Sequence, residues 1–567
     1  MNTSPQNPPA PAPAPPDTAM EPAGAPQSLP LGTLLKQAGL IKEPMIEYAL
    51  KIQKATNERL GAVLLRLRMV TDDEIARVLA RQTGLAYDDL DGATSDPTIL
   101  KQIPYVFAKK TDMLPVAVEN ERLIIAVGDP FSERAMAQIG RFTHYPVTLH
   151  VAPQAKLRRL IDRFYYRLEH PLTAEVEQIT LAAREGRNYS TERLVDLVLN
   201  TALDLRASDI HISPTETATL VSYRTDGVLH PQYAFHASTH SRIVSTIKVT
   251  AGMNIAEQNR PQDGRMTLKF LGDEFDLRIS AIPTAHGENM VIRLLATGVG
   301  LMSVVGLGFD ERQVEAIVRL VEQPYGMILA TGPTGSGKST TLYALLRYID
   351  CIEKNVLTVE DPIEFDMPLV HQVAVNEKAG VTFASAIRTF FRQDPDIILV
   401  GEIRDEETAT LGIRAALTGH LVLSTLHTND AAGAIARLGD LGVGMFLLSN
   451  SLSGVVAQRL LRRLCSYCKR PATLTDAERQ RFGIEAGQTF RAVGCDRCLR
   501  TGYLGRVAAG EVLEIDAEIQ GLVANGRPAH EIQQAAQRKG MHTIKDSALR
   551  LVAAGLTDLA EVGRVVK

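Results

Sequence analysis

Short, mostly apolar runs in the second half of the chain predict strands that are buried on both faces of a sheet. They cover residues 327–330, 356–359, 397–400 and 421–426. After the first run, apolar residues recur at helical spacing and predict a helix with one apolar face. These residues are Leu342, Leu345, Leu346 and Ile349. The pattern predicts an α/β domain around a parallel sheet.

Alternation of apolar and polar residues earlier in the chain predicts strands that face water on one side. Residues 114–118 and 122–127 are predicted to pair, with a polar turn at 119–121 between them. Around Arg278 and Arg293 the alternation places both arginines on one side of two further strands. On composition alone, these are surface arginines of a small antiparallel-sheet domain.

A repeat with an offset of 29 residues begins at Leu31. Its first copy starts with Leu31-Gly32 and its second with Leu60-Gly61. Each copy has the pattern of two short helices, and acidic residues at 72–74 mark the start of the last one. The simplest interpretation is a duplicated helical hairpin with its leucines in a core.

Shifts in composition divide the 567 residues into regions. Residues 1–30 are rich in proline and are predicted to be a disordered tail. Residues 31–170 are predicted to form a helical and α+β N-terminal domain with the repeat, followed by a charged linker at 171–190. Residues 191–298 are assigned to an α+β domain and 299–567 to the α/β domain.

Between the first apolar run and its helix, the sequence fits the phosphate-binding pattern G-x-x-x-x-G-K-[ST] without a mismatch. Glycines let backbone N–H groups turn toward phosphate oxygens, and the helix N-terminus adds a favourable dipole. Lys338 is expected to reach the β- and γ-phosphates, and Ser339 to help hold Mg²⁺. The predicted nucleotide-binding residues are Gly332, Pro333, Thr334, Gly335, Ser336, Gly337, Lys338, Ser339 and Thr340.

Carboxylates follow the next two predicted strands: Glu360, Asp361 and Glu364 after one, and Glu402 after the other. Ligands of parallel sheets bind at the carboxyl ends of the strands. A metal-bound triphosphate needs carboxylates around Mg²⁺, and hydrolysis needs one to orient the attacking water. Gly401 stands where ATPases commonly carry an acidic residue, which leaves more of the metal coordination to the first cluster.

Four of the five cysteines form two C-x₂-C pairs, Cys465 with Cys468 and Cys495 with Cys498. Two such pairs are typical of tetrahedral Cys₄ sites that bind Zn²⁺ as thiolates. The predicted ion is structural, because no further ligand or open position is evident. A redox pair is the alternative interpretation. Cys351 is predicted to be a core residue.

Together these motifs resemble those of secretion ATPases, the hexameric motors of type II secretion and type IV pilus assembly. The motifs are ASDIH (207–211), GPTGSGKST (332–340), TVEDPIEF (358–365), RQDPDIILVGEIRD (392–405) and ALTGHLVLSTLHTND (416–430). The resemblance implies a RecA-like core, with the Cys₄ insertion at 465–498, preceded by a PAS-like domain at 191–298. It also implies a homo-hexamer that hydrolyses ATP to drive pilin polymerisation through inner-membrane platform and adaptor proteins.

The resemblance assigns roles to single residues. Glu402 takes the position of the catalytic glutamate, and Glu360, in the acidic box of the family, is also assigned a catalytic role. Arg278 and Arg293 match arginines that reach nucleotide between the two domains, which replaces the surface interpretation. The remaining members of the acidic and histidine boxes, which would sense Mg²⁺ and phosphate, are Asp361, Glu364, His420 and His427.

The repeat is similar to N-terminal domains of this family, some of which bind cyclic di-GMP through paired copies of such a motif. Arg59 matches the arginine that starts that motif, whereas Pro30 replaces it in the first copy. Core packing and partner docking are the alternative interpretation. The long N-terminal part and the cysteines imply an assembly motor, with type II secretion and type IV pilus both left open.

Two other functions fit the sequence less well. An ATP-binding scaffold or switch of the same machinery has little use for Glu402 and the two arginines. A nucleic-acid translocase needs a basic, aromatic-lined channel, whereas this chain has net charge −4, no Trp and 5% aromatic residues. No signal peptide and no apolar run of membrane-spanning length is evident, so the predicted location is the cytoplasm, at the inner membrane through partners.

Overall fold

The computed structural model describes residues 29–566 except 95, 132–137, 170–171, 186, 272, 297–300 and 485–488. The predicted tail at 1–30 lies outside this part of the chain except for its last two residues. Among the described helices, none combines the length and apolar character that crossing a membrane requires.

Two helical hairpins open the described chain, as the repeat predicts. Their helices are α1 (Leu31–Gln37), α2 (Glu43–Thr56), α3 (Leu60–Arg66) and α4 (Asp72–Thr83). The Leu-Gly pairs pack against each other, since a Cβ added at Gly32 would lie 3.3 Å from Leu60, and one at Gly61 would lie 3.4 Å from Leu31. Close packing of the two copies therefore accounts for both glycines. Residues 31–83 are called the repeat unit below.

A small mixed sheet with strand order β1-β4-β3-β2 follows the repeat unit. The predicted antiparallel pair is confirmed as β2 and β3. The strands are β1 (Ala86–Tyr87), β2 (Met113–Glu119), β3 (Arg122–Val127) and β4 (Val147–Val151). The helices are α5 (Pro97–Leu100), α6 (Tyr105–Thr111) and α7 (Gln154–Glu169).

The segment predicted as a linker contains a helix, α8 (Leu172–Arg184). Val176 of this helix is buried in the core of the next sheet. Glu175 accepts hydrogen bonds from the Arg193 guanidinium at 2.6 Å. The helix is thus held by tertiary contacts, which explains why its own pattern was too weak to predict it.

The second domain is a six-stranded antiparallel sheet with order β7-β6-β5-β10-β9-β8. Its strands are β5 (Asp209–Pro214), β6 (Ala218–Thr225), β7 (Val228–His236), β8 (Gln262–Phe270), β9 (Asp273–Thr284) and β10 (Gly287–Ala296). Helices α9 (Thr191–Asp204) and α10 (His240–Thr250) cover one face. Arg278 and Arg293 are direct cross-strand neighbours, so they share one face as predicted.

The third domain is built on a seven-stranded sheet with order β13-β12-β14-β15-β11-β16-β19, parallel except for the β16–β19 pair. Alternate residues of β11 enter two cores: Met327 and Leu329 lie in one, Ile328 and Ala330 in the other. The α/β prediction is confirmed. The strands are β11 (Gly326–Thr331), β12 (Val356–Glu360), β13 (His371–Ala374), β14 (Ile397–Val400), β15 (Leu421–Leu426), β16 (Leu452–Leu464) and β19 (Tyr503–Glu514).

Helices pack on both faces of this sheet, and the cysteine insertion lies between β16 and β19. The helices before the insertion are α11 (Glu311–Val321), α12 (Lys338–Tyr348), α13 (Phe383–Phe390), α14 (Glu406–Leu417), α15 (Ala431–Asp440) and α16 (Met445–Ser451). The insertion holds β17 (Arg470–Ala472), α17 (Asp476–Phe482) and β18 (Thr489–Arg491). The chain closes with α18 (Ala517–Ala524), α19 (Ala529–Arg538), α20 (Ile544–Ala553) and α21 (Leu559–Val565).

Candidate active site

The phosphate loop connects β11 to α12 at the carboxyl edge of the sheet. Three of its glycines have backbone conformations that other residues avoid, with φ of 148° at Gly332, 78° at Gly335 and 91° at Gly337. A Cβ added at Gly332 would lie 2.6 Å from the Gln458 carbonyl oxygen, and one at Gly337 would lie 3.0 Å from Gln458 Nε2. The loop therefore requires glycine for both its conformation and its space.

Lys338 is the first residue of α12, and its side chain is buried beneath the loop. Its ammonium donates to the carbonyl oxygens of Gly332 (2.8 Å) and Pro333 (3.3 Å). Burial lowers the pKa of Lys338, and the nearby Glu402 carboxylate opposes this shift. Phosphate oxygens are stronger acceptors than carbonyls, so a triphosphate in the loop could take over these hydrogen bonds.

Glu402 follows β14 and lies beside the phosphate loop, with 15% of its side chain exposed. Its carboxylate is 2.5 Å from the Arg404 guanidinium, which raises the pKa of Arg404, and 3.7 Å from His427 Nε2. His427 Nδ1 is in turn 3.4 Å from Lys338 Nζ. Thr428 N donates to Thr331 Oγ1 (2.9 Å), which fixes the His427 segment to the end of β11. Three of the residues singled out from sequence therefore meet here.

The acidic cluster after β12 divides into buried and exposed parts. Glu360 is buried and accepts hydrogen bonds from Thr358 Oγ1 (2.6 Å), Gln372 Nε2 (3.0 Å) and the Tyr343 hydroxyl. Asp361 and Glu364 are exposed, and the Asp361 charge also raises the pKa of Arg404. Both Glu360 oxygens are thus engaged and tie β12 to α12, and the catalytic role expected for Glu360 stays a prediction.

The two histidines lie at opposite edges of the sheet. Because β11 and β15 are parallel, with Gly326 opposite Leu421 and Thr331 opposite Leu426, His420 stands at the amino edge. A strand of this length separates it from the phosphate loop by about 20 Å. His420 Nδ1 instead lies 2.9 Å from the Ala415 carbonyl oxygen. His420 therefore lies away from the phosphate loop of its own chain, whereas His427 lies beside it, and the sensing roles expected for both stay predictions.

Arg278 and Arg293 face an open cleft of about 560 Å³ on the second domain's sheet. Arg293 Nε donates to Asp209 Oδ1 (3.1 Å), and Asp209 belongs to the ASDIH motif. Arg278 Nε is buried without a hydrogen-bond partner and lies 3.7 Å from Asp276. The ionic partners of both arginines are thus in their own sheet, and the catalytic roles expected for them stay predictions.

Gln458 is a site residue that the motifs did not indicate. It is buried in β16, donates from Nε2 to the Ser336 carbonyl oxygen (2.8 Å) and accepts from Thr341 Oγ1 (2.8 Å). One amide therefore joins β16 to both the phosphate loop and α12. The available signal was a neutral amide directly after the apolar residues 454–457, because a polar group buried with such a run costs free energy unless it is hydrogen-bonded.

Replacing Gln458 by leucine is expected to weaken ATP binding about 10-fold, because the Ser336 carbonyl and Thr341 hydroxyl lose a buried partner. Titration with a fluorescent ATP analogue measures the change. Gln537→Leu, at an exposed position of α19, is the matched control. An unchanged Kd in a folded Gln458→Leu protein would contradict a role for this amide in shaping the loop.

The four cysteines converge as predicted. Their sulfur atoms all lie within 4.8 Å of one another, and three sulfur pairs are 3.8 Å apart. A tetrahedral ion with Zn–S bonds of about 2.3 Å requires sulfur separations of about 3.8 Å. Burial favours the neutral Cys498 thiol, but backbone N–H groups of Cys495 and Gly502 outweigh it and lower the pKa of Cys498. The donor set fits Zn²⁺.

Replacing Cys468 by serine is expected to reduce bound zinc from about one ion per chain to a small fraction of that, since three thiolates do not close the site. Elemental analysis of purified protein measures the content, and thermal unfolding reports the lost stability. Cys351→Ser is the control, because Cys351 lies outside the cluster. Equal zinc in both variants would argue against the Cys₄ site.

A model of the type II/IV secretion system protein family matches residues 185–564, and a model of the MshEN domain matches 83–171. The type IV pilus assembly ATPase PilB of Myxococcus xanthus is 38% identical over 556 residues, which cover 94% of this chain and 98% of the relative. The type II secretion system ATPase E of Vibrio cholerae is 44% identical over 489 residues, which cover 82% and 97%. The chain belongs to the type II/IV secretion system protein family.

Proposed function

We propose that this chain is the ATP-hydrolysing motor of a type IV pilus assembly or type II secretion machine and works as a ring of six copies. The relatives named above are ATPases of these two machines. The observation that carries the proposal is the meeting of Lys338, Glu402 and His427 beside a phosphate loop at the carboxyl edge of a parallel sheet.

In this reaction the loop N–H groups and Lys338 bind the β- and γ-phosphates of ATP. Mg²⁺ bound with ATP neutralises phosphate charge, and Ser339 with Asp361 would hold it. Glu402 orients the attacking water and draws its proton, while Arg404 fixes the carboxylate. His427 stands between Glu402 and Lys338, where a change at the γ-phosphate would reach both.

Arg278 and Arg293 complete this site when the second domain closes on the third. Arg293 must then exchange Asp209 for phosphate oxygens, and Arg278 brings a guanidinium whose Nε has no hydrogen bond to lose. Because such arginines must reach the phosphates to stabilise the charge of the transition state, they accelerate hydrolysis only in the closed form. This couples turnover to domain movement.

The partners proposed for the ring are the inner-membrane platform and adaptor proteins of the machine, which would place it at the cytoplasmic face of that membrane. The four-cysteine centre holds a structural Zn²⁺. Cyclic di-GMP binding to the repeat unit stays a prediction. Packing explains Gly32 and Gly61, while Arg59 is exposed and pairs with Asp129, where a ligand could reach it.

The experiment that tests the catalytic site is phosphate release from Mg-ATP by the purified full chain beside Lys338→Ala. The variant is expected to lose nearly all turnover, about 1000-fold, because no other cation in the loop compensates phosphate charge. Lys378→Ala, an exposed lysine after β13, is the control. Equal turnover in Lys338→Ala and wild type would show that hydrolysis occurs elsewhere, and the proposal would fail.

A further inference from the structure

We propose that the far end of helix α12 is a docking surface for the repeat unit, and that docking restrains ATP turnover. This inference rests on the proposed function, since α12 begins with Lys338. Arg347, near the other end of the same helix, extends its guanidinium to the Glu74 carboxylate and donates from Nε to the Met69 carbonyl oxygen (3.4 Å). Glu74 and Met69 both belong to the repeat unit.

The contact between Glu74 and Arg347 is closed to solvent. Only 5% of the Arg347 side chain and 9% of the Glu74 side chain are exposed. The Glu74 carboxylate also accepts from Thr71 N (2.8 Å) and so caps helix α4. One carboxylate therefore joins the start of α4 in the repeat unit to the end of the helix that carries Lys338.

Apolar contacts surround this ion pair. Ile352, just after α12, and Leu369 pack against the core of the repeat unit. Lys42 lies over the Tyr348 ring, with its ammonium 4.7 Å from the ring centre. Leu369 belongs to the segment that follows the acidic cluster. The repeat unit therefore contacts both the end of α12 and the segment after the acidic cluster.

The balance of forces favours a contact that can open. Burying both charges costs about as much as their attraction returns, so such a pair sets orientation more than net affinity. Moreover, Glu74 Oε1 and Arg347 Nη1 are buried without hydrogen-bond partners. Both polar atoms would regain water if the repeat unit moved away.

Helix α12 does not need this contact to hold its place. Leu342, Leu345 and Leu346 are buried in the core of the third domain, and Tyr343 is fixed to Glu360. Docking therefore attaches the repeat unit to a helix whose position its own domain already fixes. Because the motor cycle requires movement of the domains, the attached repeat unit restrains that cycle. Release of the repeat unit is expected to raise kcat with little change in KM.

The test uses the full chain in four forms: wild type, Glu74→Arg, Arg347→Glu and the double swap. Each single variant places like charges together, so kcat is expected to rise about threefold or more, with faster hydrogen exchange in 69–76 and 345–352. The double swap restores an opposite pair and should return both readouts toward wild type. Arg66→Glu, which reverses an exposed arginine of the repeat unit, is the control.

Leu369→Ala removes apolar contact from the surface without changing a charge. It takes the place of any charge variant that does not fold, with the same expected rise in kcat and in hydrogen exchange. Unchanged exchange and kcat in the single variants, or a double swap that behaves like them, would overturn the proposal. If the wild type has no turnover, the proposed function fails. Hydrogen exchange then still decides whether the repeat unit docks through Glu74 and Arg347.

Discussion

Replacing Glu402 by glutamine is expected to lower kcat for ATP hydrolysis by about 100-fold or more while ATP still binds. The amide cannot draw a proton from the attacking water, and general bases of this kind contribute about 10²–10⁴-fold. The similar shape of glutamine leaves Lys338 and the loop in place. Steady-state phosphate release gives kcat, and equilibrium titration with an ATP analogue gives Kd.

Glu407→Gln is the matched control for this variant, because Glu407 is an exposed carboxylate on α14 that pairs with Arg388. It is expected to retain turnover close to that of the wild type. If Glu402→Gln and Glu407→Gln hydrolyse ATP equally well, the carboxylate that orients water must be another one. The exposed pair Asp361 and Glu364 would then be the next candidates.

Replacing Arg278 by alanine is expected to reduce kcat about 1000-fold, the scale on which arginine fingers act in phosphoryl transfer. The Kd for ATP should change much less, since the open arrangement of the domains gives Arg278 its ionic partner within its own sheet. The expected split between kcat and Kd is the signature of a group that acts only in the closed form. Single-turnover kinetics separates the rate of hydrolysis from the affinity for ATP.

Arg242→Ala serves as the control for Arg278→Ala. Arg242 lies on α10 of the same domain and its guanidinium is over the Tyr189 ring, outside the arginine cleft. Arg278→Lys is expected to rescue only part of the activity, because a single ammonium lacks the planar fork of donors. A kcat for Arg278→Ala close to wild type would exclude Arg278 from the closed site.

Local sequence was sufficient to predict four of the seven strands of the third domain's sheet and the phosphate loop. Residues 327–330 are apolar on both faces of the sheet because both faces are covered, and that leaves a continuous apolar run. The cysteine cluster could also be predicted from local sequence, because its ligands come in two close pairs. In these cases the signal lies within a few residues of the structure that it specifies.

Tertiary arrangement decided what the sequence did not reveal. His420 and His427 flank the same strand in one motif, yet a strand places its two ends at opposite edges of the sheet. Glu360 is engaged by Tyr343 and Gln372, which come from distant parts of the chain. The contact of Arg347 with Glu74 spans even more of the sequence. No local pattern contains these pairings.

The central claim is that ATP turnover belongs to a ring of six chains built around the Lys338 and Glu402 site. The most direct test measures phosphate release per chain, with native mass, across protein concentrations in Mg-ATP. Turnover per chain should rise as the six-chain species forms, and Glu402→Gln should form that species without turnover. A monomer that binds ATP tightly and hydrolyses it negligibly at every concentration would contradict the motor and support an ATP-binding switch.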